Sequence, residues 1–301
     1  MMNAATWVIG LQGHHLTPQE RDCLRKSPPL GVILFARNCH HQTQITALLD
    51  DVRQQTGQKT WAAIDEEGGR VHRMSFAPFH TRPHAASYGE LFKTHPKQAT
   101  QNVFEDACNI GKALADMGFT HNCAPVLDVF HPQGHGIIGQ RAFSDDKNTI
   151  ITLASACVHG LKSVGIEAVG KHFPGHGRAN ADSHLAVPNV DADVSSLFDE
   201  AEIFKHVATQ GLQYIMSAHV VYSQISDDIA TFSTYWLQDI LRQKFGFQGK
   251  IWSDDLCMRG AGKNIIDAMQ KAQQATCDVL LICEPEQVQQ AYEELSKQRP
   301  S

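Results

Sequence analysis

The chain has no apolar run approaching the roughly 20 residues that a membrane-spanning helix requires, so no membrane partner is expected. It also lacks any C-x-x-C pair. Its eight cysteines are dispersed between Cys23 and Cys283, several of them in apolar stretches such as VLLICEP. Such thiols read as reduced core residues of a cytoplasmic protein, not as disulfides or zinc ligands. No stripe of Lys and Arg occurs, and 26 basic against 32 acidic residues leave a formal net charge of -6. A nucleic-acid partner is therefore not expected. Low-complexity tracts and linker-like segments are missing, which argues against a second domain. The opening MMNAATWVIGLQGHH has no basic n-region and too short an apolar run for a signal peptide, which again points to the cytoplasm.

What is present is a chain of 301 residues, 42% hydrophobic and 19% charged, with enough apolar material for a sizeable core. Eight short apolar runs recur: 7–11 (WVIGL), 31–35 (GVILF), 61–65 (WAAID), 120–124 (THNCA), 168–172 (AVGKH), 214–219 (YIMSAH), 250–254 (KIWSD) and 279–283 (VLLIC). Each is bounded by Gly, Pro, Asn or Asp, as buried strands are. Amphipathic segments lie between them. In 98–117 the apolar residues Val103, Ala107, Ile110 and Leu114 fall on one helical face, and Gly118 supplies a stop. Ser233 or Thr234 is placed to cap a helix over YWLQDILRQKF, which ends at Gly246. Strand–helix alternation repeated eight times predicts an α/β fold, a (β/α)8 TIM barrel, as a single domain over 1–301. A doubly wound open sheet is the alternative.

In a barrel, chemistry sits at the C-terminal ends of the strands. The third run leads into IDEEGGRVHR, the fifth into GKHFPGHG, the sixth into SAHVVY and the seventh into WSDDLCMRG. Strands often end in polar turns, but Asp, Lys-His, His and Asp-Asp straight after apolar residues on four strands make a shared site the better reading. The stretch GKHFPGHGRANADSHLAVP concentrates three histidines in 19 residues. His172 and His176 have the i, i+4 spacing of helical metal ligands, but Pro174 and the flanking glycines exclude a helix, so no metal is expected. A proton-handling role fits better. Asp182 and His184 are two apart, so in extended backbone their side chains share a side, and a carboxylate raises an imidazole's basicity and fixes its tautomer. An incidental pair on a surface loop is the plainer alternative. Asp254 closes an apolar run and should point into the barrel mouth, where a carboxylate must be held or used. A carboxylate opposite a proton donor is the arrangement that breaks glycosidic bonds. Here a histidine would stand in for the usual second acid.

These residues resemble a known family. KHFPGHG (171–177), DSH (182–184) and SDDLCMRGA (253–261), with DEEGGRVHRM (65–74), APVLDV (124–129), GQRAF (139–143), MSAHVVY (216–222) and GVILFARN (31–38), are similar in order to the bacterial β-N-acetylglucosaminidases of glycoside hydrolase family 3, the NagZ-type enzymes. The resemblance implies Asp254 as the nucleophile of a covalent glycosyl-enzyme, His184 as general acid/base and Asp182 as its dyad partner. It implies Asp65, Lys171 and His172 as ligands of the sugar hydroxyls, with Arg73 and Arg141 as further substrate-binding residues. A retaining exo-enzyme follows: a cytoplasmic monomer without cofactor or metal. Its small-molecule substrates would be muropeptides carrying GlcNAc on 1,6-anhydroMurNAc. A β-GlcNAc phosphorylase and a non-catalytic muropeptide-binding barrel are the rival readings. Glu66 stands where Gln is common and is expected to add negative charge near the sugar. Cys257 stands where Ser is common, and the chain is short for the group after its last strand. His176 is expected to brace the loop that carries Asp182 and His184.

Overall fold

The computed structural model describes residues 2–57, 59–183 and 185–298. All eight apolar runs contain strands: β1 Trp7–Gly10, β2 Gly31–Leu34, β3 Trp61–Ile64, β4 His121–Asn122, β5 Glu167–Phe173, β6 Tyr214–Ser217, β7 Lys250–Trp252 and β8 Leu280–Ile282. They pair in parallel in the order β7-β6-β5-β4-β3-β2-β1-β8. A parallel bridge between Trp252 and Val279 closes the ring between β7 and β8. The barrel reading holds and the open sheet does not.

Strands in a barrel are covered on both faces, which is why the runs are continuously apolar. Alternation still sorts their side chains. Val8, Ile33, Ala63, Val169, Met216 and Leu281 pack inside the barrel. Trp7, Ile9, Val32, Leu34, Ile215 and Ile251 join the outer core. Trp61, His121, Tyr214 and Trp252 form one ring cluster, with centroids 4.4 to 6.4 Å apart.

The outer helices are α1 Pro18–Lys26, α2 Gln42–Thr56, α3 Ala85–Thr94, α4 Pro96–Met117, α5 Lys147–Ser163, α6 Val194–Thr209, α7 Ile265–Gln274 and α8 Pro285–Lys297. Helix α4 buries Val103, Ala107, Ile110 and Leu114 and stops at Gly118, whose φ is 97°. The segment Tyr235–Lys244 departs from expectation, because it winds as a π-helix. Of its two candidate caps, the Ser233 hydroxyl accepts from the Trp236 amide at 3.5 Å, whereas Thr234 is itself in helical conformation and makes no side-chain cap.

Every strand except β5 stops one or two residues before its apolar run does. Asp65 and Asp254 therefore stand just beyond the ladder, free of its alternation. Beside the barrel mouth, Asn189–Val190, Val221–Tyr222 and Ser226–Ile229 form a small three-stranded sheet. It anchors the far end of the loop that follows β5, since the Val221 amide donates to the Pro188 carbonyl at 3.0 Å.

Candidate active site

A cavity of about 250 Å³ opens at the C-terminal mouth of the barrel, a volume on the scale of one small ligand. Asp65, Arg73, Arg141, Lys171, His172 and Asp254 all line it. They come from the ends of β3, β5 and β7 and from the loop after β4. Sequence separation of up to 189 residues, from 65 to 254, is thus removed by the parallel ring.

Much of its wall is a buried ion network. The Lys171 ammonium lies 2.7 Å from Asp65 Oδ1 and 2.7 Å from Glu67 Oε1. Arg73 Nη2 donates to Asp65 Oδ2 at 2.9 Å. Arg141 grips Glu67 with two parallel bonds, Nε to Oε2 at 2.7 Å and Nη2 to Oε1 at 2.8 Å, the bidentate geometry that only a guanidinium offers. Burial alone would raise the carboxyl groups of Asp65 and Glu67. Lys171 and Arg73 outweigh it at Asp65 and hold that group far below the usual carboxylate range. Arg141 and Lys171 bring Glu67 down to about 2. The site thus keeps charged, fixed donors and acceptors in a water-poor setting.

Lys171 and His172 are adjacent on β5, and adjacent strand residues normally face opposite sides. Here the pairing of β5 with β6 slips between Lys171 and Phe173, and both side chains reach the cavity. Such irregularities re-aim side chains next to sites. Fully buried Asp128 then fixes His172. Its Oδ2 accepts from His172 Nδ1 at 2.7 Å, and its Oδ1 accepts the amides of His172 at 3.2 Å and His176 at 2.7 Å. The carboxylate thus places a hydrogen on His172 Nδ1 and fixes the ring's orientation.

The Ser253–Asp255 segment is stitched to β8 and to its own turn. Ser253 Oγ accepts the Leu281 amide at 2.9 Å, and Asp255 Oδ1 accepts the amides of Cys257 at 2.9 Å and Cys283 at 3.1 Å. His219, expected as a strand-end polar residue, braces the same segment by donating Nε2–H to the Asp255 carbonyl at 2.9 Å. Burial pushes the Asp255 carboxyl up. Asp254 is 9% exposed and presents its carboxylate at the cavity, with Oδ1 accepting the Asp255 amide at 2.8 Å.

The loop after β5 rests against this wall. Ser183 is buried, its hydroxyl 3.3 Å from His176 Nε2 and its carbonyl accepting the Gly260 amide at 3.0 Å. His176 therefore does touch the dyad loop, and burial lowers its imidazole to about 4, so it braces as a neutral group. Asp182 is half-buried between these contacts. His184 lies outside the described residues. Among the described residues, no group of three or more His, Cys, Asp or Glu is placed to hold a metal ion.

The structure corrects one expectation. Glu66 does not charge the sugar site. It is fully buried and turned away, with Oε1 accepting the amides of Arg73 at 2.7 Å and Met74 at 3.1 Å. The glutamate of this run that does reach the cavity is the next residue, Glu67. Sequence reasoning missed both Glu67 and Asp128. The run DEE offered a signal for Glu67, since two of its acids two apart, Asp65 and Glu67, fall on one side of extended chain. APVLDV offered a lone acid after an apolar run for Asp128.

Residues 9–299 match the Glycosyl hydrolase family 3 N terminal domain. The chain belongs to glycosyl hydrolase family 3. Within that family it is similar to the β-hexosaminidase of Glaesserella parasuis serovar 5, 38% identical over 296 residues, which cover 97% of this chain and 84% of that protein. The β-hexosaminidase of Methylobacillus flagellatus is 39% identical over 281 residues, 92% of this chain and 79% of that one. NagZ from Neisseria gonorrhoeae, solved in complex with N-trifluoroacetyl-D-glucosamine, superposes with a TM-score of 0.88 at 31% identity, over 97% of this chain and 85% of that one. The family 3 chain is thus a NagZ-type glycoside hydrolase, a β-N-acetylhexosaminidase.

Proposed function

We propose that the chain is a retaining exo-β-N-acetylglucosaminidase that removes non-reducing terminal GlcNAc from peptidoglycan turnover fragments, GlcNAc β-1,4-linked to 1,6-anhydroMurNAc with or without peptide. In this reading it works as a single catalytic domain, monomeric and cytoplasmic. The observation that carries it is the Asp65–Lys171–Glu67–Arg141 network facing Asp254 across a one-sugar cavity. Rigid alternating donors and acceptors match the alternating hydroxyls of a pyranose ring. Asp65, Lys171 and His172 hold those hydroxyls, and Arg73 and Arg141 keep the two carboxylates ionised and aimed.

Asp254 attacks the anomeric carbon while His184 gives its proton to the leaving oxygen, so the C–O bond breaks as the covalent glycosyl-enzyme forms. Water, deprotonated by His184, then displaces Asp254 and restores both groups. Both steps pass through an oxocarbenium-like transition state. Asp182 orients and charges the imidazole.

The test is leaving-group dependence. The second sugar of the disaccharide leaves through an alcohol oxygen that needs the proton, whereas nitrophenolate hardly does. His184→Ala is expected to lower disaccharide cleavage by about 10²–10⁴-fold and to retain far more of the first step on nitrophenyl β-GlcNAc. Equal losses on both substrates would refute His184 as the acid. Added phosphate, with analysis for the sugar phosphate, reports whether water is the true acceptor.

A further inference from the structure

We propose that Arg70 is the specificity residue of the leaving-group side, a site for a carboxylate on the departing sugar. This rests on the glycosidase reading above and names the chemistry of its second subsite. Four cations line the cavity. Three are neutralised inside the protein, Lys171 and Arg73 by Asp65 and Arg141 by Glu67. Arg70 is the fourth. It is exposed, and among the described residues it makes no ion pair. Among the described residues its one hydrogen bond runs from Nη2 to the Ile137 carbonyl. A guanidinium has five N–H donors, so this exposed side chain keeps further donors for a ligand at the cavity it lines.

The backbone keeps it there. Arg70 sits in the tight turn made by Gly68 and Gly69, with φ of 96° and 57°, closed by the Gly68 and Val71 amides bonding across it at 3.2 Å. The Gly69 amide ties the turn to the Arg82 carbonyl at 3.1 Å. Side chains rarely adopt such φ values, so the turn has few alternatives.

Position on the rim gives the ligand. Ile137 belongs to the loop after β4. Two residues earlier the His135 amide donates to the Ala179 carbonyl at 2.9 Å, at the base of the loop that carries Asp182. A Cβ on Gly134 would lie 2.2 Å from the Gly177 carbonyl oxygen, so the two backbones touch. Arg70 and the dyad loop thus share one stretch of rim. The proton donor must face the leaving oxygen, so the leaving group lies along this rim, outside the buried sugar pocket. A fork of free N–H donors there suits a planar carboxylate. The chain's net charge of -6 repels anions at large, so an anionic substituent needs a local cation. A lactyl or peptide carboxylate meets this requirement, and a neutral chitin fragment offers nothing to it.

The test compares GlcNAc-1,6-anhydroMurNAc with the same disaccharide whose lactyl carboxylate is converted to the amide. The readout is the acid-to-amide ratio of kcat/KM within each protein, which cancels any general loss of activity. Wild type is expected to favour the acid by about threefold to fivefold, the upper scale of one solvent-exposed ion pair. Arg70→Ala brings the ratio to about one, Arg70→Lys restores part of it, and salt erodes it in wild type but not in Arg70→Ala. A wild-type ratio of one, or a ratio unchanged by Arg70→Ala, overturns the assignment and leaves the glycosidase reading standing. If wild type cleaves nitrophenyl β-GlcNAc but neither disaccharide, the proposed substrate fails and the Arg70 assignment falls with it.

Discussion

At the scale of single residues, neighbouring acids divide the labour by what holds them. Asp254 and Asp255 are adjacent and both line the cavity, yet Asp255 spends an oxygen on two backbone amides. Asp254→Ala is expected to lower turnover by about 10⁴-fold or more while the protein stays folded, because the proposed covalent route would be lost. Asp255→Asn should keep measurable turnover and lower the melting temperature instead. A fluorinated GlcNAc trapping reagent read by peptide mass mapping checks the pair, and label on Asp255 would reverse the assignment. Asp128 makes a different point, since it stands behind the residues that line the cavity. Asp128→Ala strands three donors and frees the His172 tautomer. A loss in kcat/KM of about tenfold to a hundredfold is expected, the range for a lost charge-assisted hydrogen bond, together with a lower denaturation midpoint.

At the scale of elements, the loop that carries Asp182 is tied down by a helix on the barrel's outside. Glu200 of α6 takes two bonds on Oε1, from Arg178 Nε at 2.5 Å and from His131 Nε2 at 2.9 Å. Arg178 precedes Asp182 in the loop after β5 and His131 lies within the loop after β4, so one buried carboxylate ties both. Tyr222, from the small sheet, adds a bond to the Gly175 carbonyl at 2.7 Å. If this clamp positions the acid/base, Glu200→Ala should slow substrates with poor leaving groups more than nitrophenyl β-GlcNAc, and Arg178→Lys should show a weaker version. Leaving-group plots for the three proteins test it. Parallel displacement of the lines would mean that Glu200 only stabilises the fold.

For the whole molecule, the barrel interior sets a pH limit. His121 sits among Trp61, Tyr214 and Trp252, with Nε2 buried and unpartnered, and burial lowers its imidazole to about 4. His176 is lowered to about 4 as well. Unfolded, each would titrate near 6.5. Folded pKa values below the unfolded ones mean that the contribution is fully present above about pH 6.5 and is lost as pH falls through about 4. Stability should therefore decline across that window, while the ion-paired Glu67, held down to about 2, keeps its contribution to lower pH. His121→Phe keeps a ring in the cluster and removes the proton site. Denaturant titrations at several pH values should show its slope of stability against pH reduced by about one proton. An unchanged slope would mean that His121 does not stay neutral in the fold.

The sequence by itself determined eight buried strands alternating with helices, because continuous apolar runs with period-breaking ends suit strands covered on both faces, but closure into a barrel instead of an open sheet was decided by the Trp252–Val279 bridge. It also determined which chemistry stands at the mouth, since Asp65, the Lys171–His172 pair and Asp254 follow those runs directly. The helix stopped by Gly118 was equally legible, as its signals are local. Only the tertiary structure decided orientation. The slip in β5 that turns both Lys171 and His172 inward depends on its pairing with β6, and no period in the chain marks it. The choice of Glu67 over Glu66 depends on how the Gly68–Gly69 turn folds back on Arg73 and Met74. Asp128 and Glu200 matter through partners 44 or more and 22 or more residues away, and such couplings exist only once the ring has closed.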